Sequence, residues 1–251
     1  PGPAGRSRNV LISINTAWNI ANFRAGLIRG LLDEGYEVVA TAPPDEHVAR
    51  LEAMGCRFVP LPIDNKGVSP LRDLLLFLRY LRIFRTERPS AYLGYTIKPN
   101  IYGSLAARLL GIPVINNVSG LGTAFIRQSW ITSVSSFLYR LAFRSSHRVF
   151  FQNEDDRKLF LDLGLVRAAQ TDVLPGSGID LDYFAPAAAP ENPPDAPVFL
   201  LIARLILDKG IAELNDAGKT VSVLVADQRV MGLIALRDEP RADAEAGIAA
   251  L

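Results

Sequence analysis

The run Val198-Phe-Leu-Leu-Ile-Ala-Arg204, followed by Lys209-Gly210, carries an arginine and then a lysine past the end of an apolar, β-rich stretch. Two permanent cations at the C-terminal end of a buried strand, beside a helix start, suit one diphosphate-like anion. Arg204 and Lys209 are therefore the candidate diphosphate ligands. Near the other end of the chain, Asn15-Thr-Ala-Trp-Asn19 joins an apolar run to a helical one. A loop in that place points backbone N–H groups and the side chains of Asn15, Thr16 and Asn19 into a cleft. It lacks G-x-G-x-x-G, so it is no dinucleotide fingerprint. An ordinary helix N-cap made by Asn15, Thr16 or Asn19 fits the same residues equally well.

Ser119-Gly-Leu-Gly-Thr123 is a third constellation. Gly120 and Gly122 let the backbone approach a ligand or turn tightly, while Ser119 and Thr123 add hydroxyls at a strand's C-terminal edge. A simple turn is the competing reading. Lys98 and Asn100 follow another apolar run, with Pro99 suited to a first helical turn. There a cation and an amide can meet a sugar hydroxyl or a diphosphate, or simply begin a helix. His47 and His147 are the only histidines and Cys56 the only cysteine, too few for a His- or Cys-rich metal site or an intrachain disulfide. Asp180-x-Asp182 superficially resembles a metal-binding D-x-D, but it sits in a turn context, and no metal is expected.

These residues need elements to position them. Strand-like runs at Asn9 to Ile14, Glu37 to Thr41, Arg57 to Leu61, Ala91 to Gly94, Val114 to Asn117 and His147 to Gln152 alternate with helical ones. The helices are expected at Ile20 to Glu34, Asp45 to Met54, Leu71 to Thr86, Asn100 to Leu110, Trp130 to Phe143 and Glu154 to Leu163. Such alternation predicts an α/β fold with a doubly wound, mostly parallel, Rossmann-like sheet. Five prolines at 186, 190, 193, 194 and 197 mark a linker. The expected organisation is a first domain over 1–184, a linker over 185–197 and a C-terminal segment over 198–251.

Composition sets looser bounds. The 251 residues are 49% apolar, enough to bury a core, and a net charge of +1 gives no reason to expect nucleic acid as a partner. A lone cysteine and no run long enough to span a membrane point to a cytoplasmic protein. Two helices are nevertheless basic and amphipathic. One carries Arg79, Arg82 and Arg85 among leucines, and the other places Arg140 and Arg144 near Trp130 and Phe137. Either burial on a sheet with arginines facing water, or contact with an anionic membrane surface, satisfies that pattern. In the second case the protein lies peripherally on the inner face of the cytoplasmic membrane.

Taken in order, Asn9-Val-Leu-Ile-Ser-Ile, Lys98-Pro-Asn-Ile-Tyr-Gly-Ser-Leu-Ala-Ala107, Asn116-Asn-Val-Ser-Gly-Leu-Gly-Thr-Ala-Phe125, Pro175-Gly-Ser-Gly-Ile-Asp180 and Ala203-Arg204 with Lys209-Gly210 resemble a bacterial glycosyltransferase of family 4. The likeness covers residues 9 to 211 and is nearest the branch that builds surface polysaccharide or lipid-linked oligosaccharide. It implies the GT-B architecture, in which the N-terminal Rossmann-like domain mainly holds the acceptor and the C-terminal one the nucleotide sugar. Transfer with retention, no cofactor and no obligatory metal are implied as well. Under the resemblance Arg204 and Lys209 meet the donor diphosphate, and Asp180 and Asp182 belong to a hinge turn.

The tail departs from that pattern. The Glu-x7-Glu pair that grips the donor in relatives does not occur in this sequence, and a full second domain would need about a hundred residues beyond Val198. The stretch 217–251 reads as a β-hairpin and a helix. It resembles the part of heavy-metal P-type ATPases preceding their Thr-Gly-Asp motif, with Asp238 and Arg241 at matching positions but no phosphorylation site. The expectation is a glycosyltransferase-like N-terminal half with a truncated, non-matching C-terminal segment, inactive alone; a non-catalytic acceptor- or membrane-binding module and a non-functional fusion are the alternatives.

Overall fold

The computed structural model describes residues 8–64, 69–120, 130–181, 184–185, 199–201, 220–226 and 229–236, with side chains described up to 120 and from 133 to 185. The chain divides into two compact units, Pro1–Phe184 and Ala185–Leu251.

The first unit contains seven strands, β1 Asn9–Ser13, β2 Glu37–Ala42, β3 Arg57–Pro60, β4 Ala91–Tyr95, β5 Val114–Val118, β6 Arg148–Phe151 and β7 Thr171–Val173. They form one sheet in the order β3-β2-β1-β4-β5-β6-β7, and every pairing is parallel. Between them run helices α1 Ala17–Phe23, α2 Ala25–Asp33, α3 Val48–Ala53, α4 Pro70–Glu87, α5 Ser104–Leu109, α6 Trp130–Phe143 and α7 Glu154–Asp162. Parallel strands need such crossovers, and the central strands β1, β2 and β5 are largely buried under the helices that cover the sheet.

Alternation along β1 shows the two layers. Val10 and Ile12 pack with Ile20, Ile28 and Leu51 from α1 to α3. Leu11 points the other way, into a cluster with Leu76, Tyr80 and Phe84 of α4 and Ala106 of α5. A third cluster joins Tyr139 and Phe143 of α6 to Phe160 of α7 over Val149 and Phe151. The chain leaves β1 for β2 on one side and reaches β4 on the other, so the sheet's topological switch point lies between the C-terminal ends of β1 and β4.

Three local features differ from the sequence expectation. The helix expected over Ile20 to Glu34 is two helices, broken at Arg24, whose backbone (φ −125°, ψ 6°) leaves the helical region. The helix expected from Asn100 starts as a π-helical turn, Pro99–Gly103, before α5. β7 was not expected, because three residues are too few to display a period.

In the second unit β8 Phe199–Leu201, β9 Thr220–Ala226 and β10 Arg229–Leu236 form an antiparallel sheet in the order β8-β10-β9. The β9–β10 pair coincides with the expected hairpin. β8 runs antiparallel to β10, whereas a strand opening a Rossmann-like domain belongs in a parallel pair.

Candidate functional site

Ligands of open α/β sheets collect at the carboxyl edge, at the switch point. Here that edge is built from the segments after β1, β2, β3, β4, β5 and β7. Directly beneath it, Ser13 at the end of β1 shares a 2.7 Å hydrogen bond with the buried Tyr80 hydroxyl of α4. Thr16 is the N-cap of α1, its Oγ1 accepting from the Asn19 backbone N–H at 3.0 Å. The Asn19 amide donates to Asn15 Oδ1 at 2.8 Å. All three remain partly exposed, so this loop is a capped helix start with amides at its surface.

Arg24 follows one turn later. α1 buries Ala17, Ile20 and Ala21 and α2 buries Ile28, and Arg24, at the break between them, is only 8% exposed. The guanidinium lies over the ring of Tyr95, the last residue of β4, at 4.2 Å from the centroid. Nη1 donates to Phe23 O at 3.0 Å and to Ser177 Oγ at 2.8 Å, while Nε has no hydrogen-bond partner. Among the described residues no carboxylate comes within ion-pair distance of it. Burial lowers its pKa from the usual guanidinium value, with the Tyr95 hydroxyl opposing. β7 lies three strands from β4, so the segment containing Ser177 runs back along the carboxyl edge to reach Arg24.

Across the switch point, Thr96 has φ 60°, a strained setting for a β-branched residue in the loop after β4. Lys98 donates to Asp73 of α4 at 2.7 Å, and both side chains are largely buried, at 15% and 7% exposure. Tyr102 lies against the same carboxylate; burial, and then Asp73, raise its pKa. Asn100 is fully buried. Its Nδ2 donates to Asn117 O at 3.0 Å, and its Oδ1 accepts from Asn116 Nδ2 at 2.9 Å. Asn116 also donates to Ser104 Oγ and accepts from Ser146 Oγ at 2.6 Å. This network fastens the π-helical turn to β5. Asn100 therefore positions the edge from below, and Lys98 reaches it as half of an ion pair. Ser119 and Gly120 are exposed at the end of β5, Ser119 donating to Asn117 Oδ1 at 3.0 Å and Gly120 at φ 130°.

Beyond β2 and β3, a cavity of about 390 Å³ opens against α4, lined by Pro43, Pro44, Ile63, Arg72, Leu75 and Arg79 among others. The outer face of α4 carries Leu71, Leu74, Leu75 and Leu78 together with Arg72, Arg79, Arg82 and Arg85, all exposed. Its one acid in the first turn, Asp73, is buried under Lys98. α6 exposes Val134, Phe137 and Leu141. Arg140, however, donates to the carbonyls of Leu163 and Gly164 at 2.8 and 3.2 Å, capping the C-terminus of α7. Arg144 is exposed at the opposite, amino edge of the sheet, beside the start of β6.

Among the candidates, then, the fold brings Asn15, Thr16, Asn19, Lys98, Ser119 and Gly120 to one edge, with Asn100 beneath it. Arg79 flanks the same edge through α4. Gly122, Thr123, Asp182, Arg204 and Lys209 lie outside the described residues, and Trp130 is described only as the start of α6. Sequence reasoning passed over Arg24 and Asp73. Asp73 sits on the inward stripe of α4 with Leu76, Tyr80 and Phe84, where a charge signals a buried role, whereas Arg24 is buried at the break between α1 and α2.

The family model for a glycosyl transferase 4-like domain matches residues 20–176. The chain is 26% identical over 236 residues to N,N'-diacetylbacillosaminyl-diphospho-undecaprenol alpha-1,3-N-acetylgalactosaminyltransferase of Campylobacter jejuni, covering 88% of this chain and 61% of that one. It is also 26% identical over 131 residues to UDP-Gal:alpha-D-GlcNAc-diphosphoundecaprenol alpha-1,3-galactosyltransferase of Escherichia coli, covering 52% and 33%. The chain thus spans less than two thirds of either relative. Among solved structures, Anabaena HepE in complex with UDP and glucose superposes with a TM-score of 0.52 at 15% identity, over 69% of this chain and 45% of that one, a likeness of fold.

Proposed function

The chain belongs to the glycosyl transferase 4-like domain family, and from that membership we propose that its first unit is the acceptor-binding domain of a sugar transferase. The donor is a nucleotide sugar, and the acceptor a glycan or saccharide linked through diphosphate to a polyprenyl lipid. Asn15, Thr16, Asn19, Ser119 and Gly120 face the acceptor sugar, Lys98 and Asn100 hold the floor under it, and Gly122 and Thr123 are assigned to the acceptor with them. Arg204 and Lys209 are assigned to the donor diphosphate.

The observation that carries a lipid-linked acceptor is the outer face of α4. Four exposed leucines and four exposed arginines stand beside a cavity at the edge where ligands of such sheets bind. Leucines suit a lipid chain and arginines suit phosphates or anionic headgroups. Both relatives are named for diphospho-undecaprenol substrates. No helix among the described residues is long and apolar enough to cross a membrane, so this reading places the protein on a membrane surface, on its cytoplasmic side.

The test is flotation with anionic vesicles, with and without a polyprenyl-diphosphate-linked N-acetylhexosamine. The doped vesicles should retain the protein at salt concentrations that release it from undoped ones. Equal release from both overturns the lipid-linked acceptor.

A further inference from the structure

Arg24 has the features of an anion-binding side chain. A buried guanidinium stays charged, and a buried charge without a counter-ion is costly unless something else compensates it. Among the described residues the compensation consists of one ring face, one neighbouring carbonyl and the Ser177 hydroxyl, with Nε left without a partner. The other buried cation at this edge, Lys98, has Asp73. Arg24 stands at the junction of two helices, the C-cap of α1 and the N-cap of the nine-residue α2, whose first turn carries no acid. The segment after β7 reaches it through the neutral hydroxyl of Ser177, in a stretch exposed from Leu174 through Leu181.

We propose that Arg24 binds a phosphoryl oxygen of a diphosphate, exchanging its bond to Ser177 for the charged ligand. A charge-assisted hydrogen bond to phosphate is stronger than one to a hydroxyl, so the exchange runs toward the anion. Binding also frees the Ser177 segment from the carboxyl edge. The choice of diphosphate over another oxyanion rests on the transferase reading. The buried cation, with no carboxylate beside it among the described residues, does not.

Titration of the full chain with inorganic pyrophosphate, UDP and farnesyl diphosphate, followed by calorimetry and thermal melting, tests this without lipid or transfer. Arg24→Gln should weaken pyrophosphate binding about tenfold or more, with Arg24→Lys in between. Ser177→Ala, which removes the competing bond, should tighten it. Arg24→Met should melt no lower than wild type in the absence of anion, because it removes an uncompensated buried charge. Farnesyl diphosphate bound more tightly than pyrophosphate, and lost in Arg24→Gln, assigns the site to the acceptor; the same result with UDP assigns it to the donor. Pyrophosphate binding within twofold of wild type in Arg24→Gln overturns the proposal, as does a Ser177→Ala variant that binds more weakly. If Arg24→Gln does not fold, the Arg24→Lys and Ser177→Ala titrations decide. An Arg24-dependent pyrophosphate site in a protein that ignores lipid-linked acceptor fails the functional reading alone.

Discussion

Residue by residue, much of the carboxyl edge is held by buried polar contacts that pattern alone does not reveal. Lys98 is a candidate ligand by position, yet its partner Asp73 lies 25 residues earlier, and only the fold brings them together. Removing one member of a buried ion pair strands the other, at about 3–5 kcal/mol. Asp73→Asn and Lys98→Met should therefore each destabilise strongly, and the double variant by much less than their sum, in urea unfolding. Additive losses would mean that the two charges do not compensate each other. Gly103 offers a second test. A Cβ there would overlap the Tyr92 hydroxyl, which donates to Pro99 O at 2.9 Å across the same turn. Gly103→Ala should cost about 1–3 kcal/mol despite its better helix propensity. In the Tyr92→Leu background, where the hydroxyl and the ring carbons that also crowd this position are gone, the added loss should shrink; an unchanged loss refutes the clash.

At the level of elements, alternation of apolar runs made six of the seven strands of the main sheet and most of its helices legible, because helix and strand periods differ and crossovers are long. What it could not show was where a helix breaks for a tertiary reason. Arg24 interrupts α1 and α2, and the turn at Pro99 winds wide where Asn100 reaches Asn116. The amphipathic pattern of α4 left core packing and membrane contact both open, and the fold accommodates both on different stripes. Tyr80 and Phe84 are buried while Leu74, Leu78, Arg82 and Arg85 face out. α6 divides differently, since Arg140 holds the end of α7. Replacing Arg79, Arg82 and Arg85 with glutamate should abolish sedimentation with anionic vesicles, each arginine contributing about 1 kcal/mol. Arg140→Glu should act mainly by lowering stability. Vesicle binding that survives the triple change would return α4's outer face to water.

For the whole molecule, the order of motifs carried more than any single one, and the family match over 20–176 rests on the part of the chain where strands and helices alternate. The second unit was less legible. Its strands were visible as apolar runs, but the antiparallel pairing of Phe199–Leu201 depends on which partner is available, and no local pattern records that. The chain divides into its two units after Phe184, next in sequence to a stretch with five prolines at 186 through 197. Proline removes backbone donors and fixes φ, so that composition resists incorporation into a sheet or helix interior. We expect residues 185–197 to be the preferred site of cleavage, with elastase acting after the alanines and a glutamate-specific protease after Glu191. The N-terminal fragment released should keep its melting temperature, because the apolar clusters found among the described residues are built from residues before Phe184. Cleavage first within α1 to α7, or a fragment that unfolds once severed, would mean that residues 8–184 depend on the second unit for their stability.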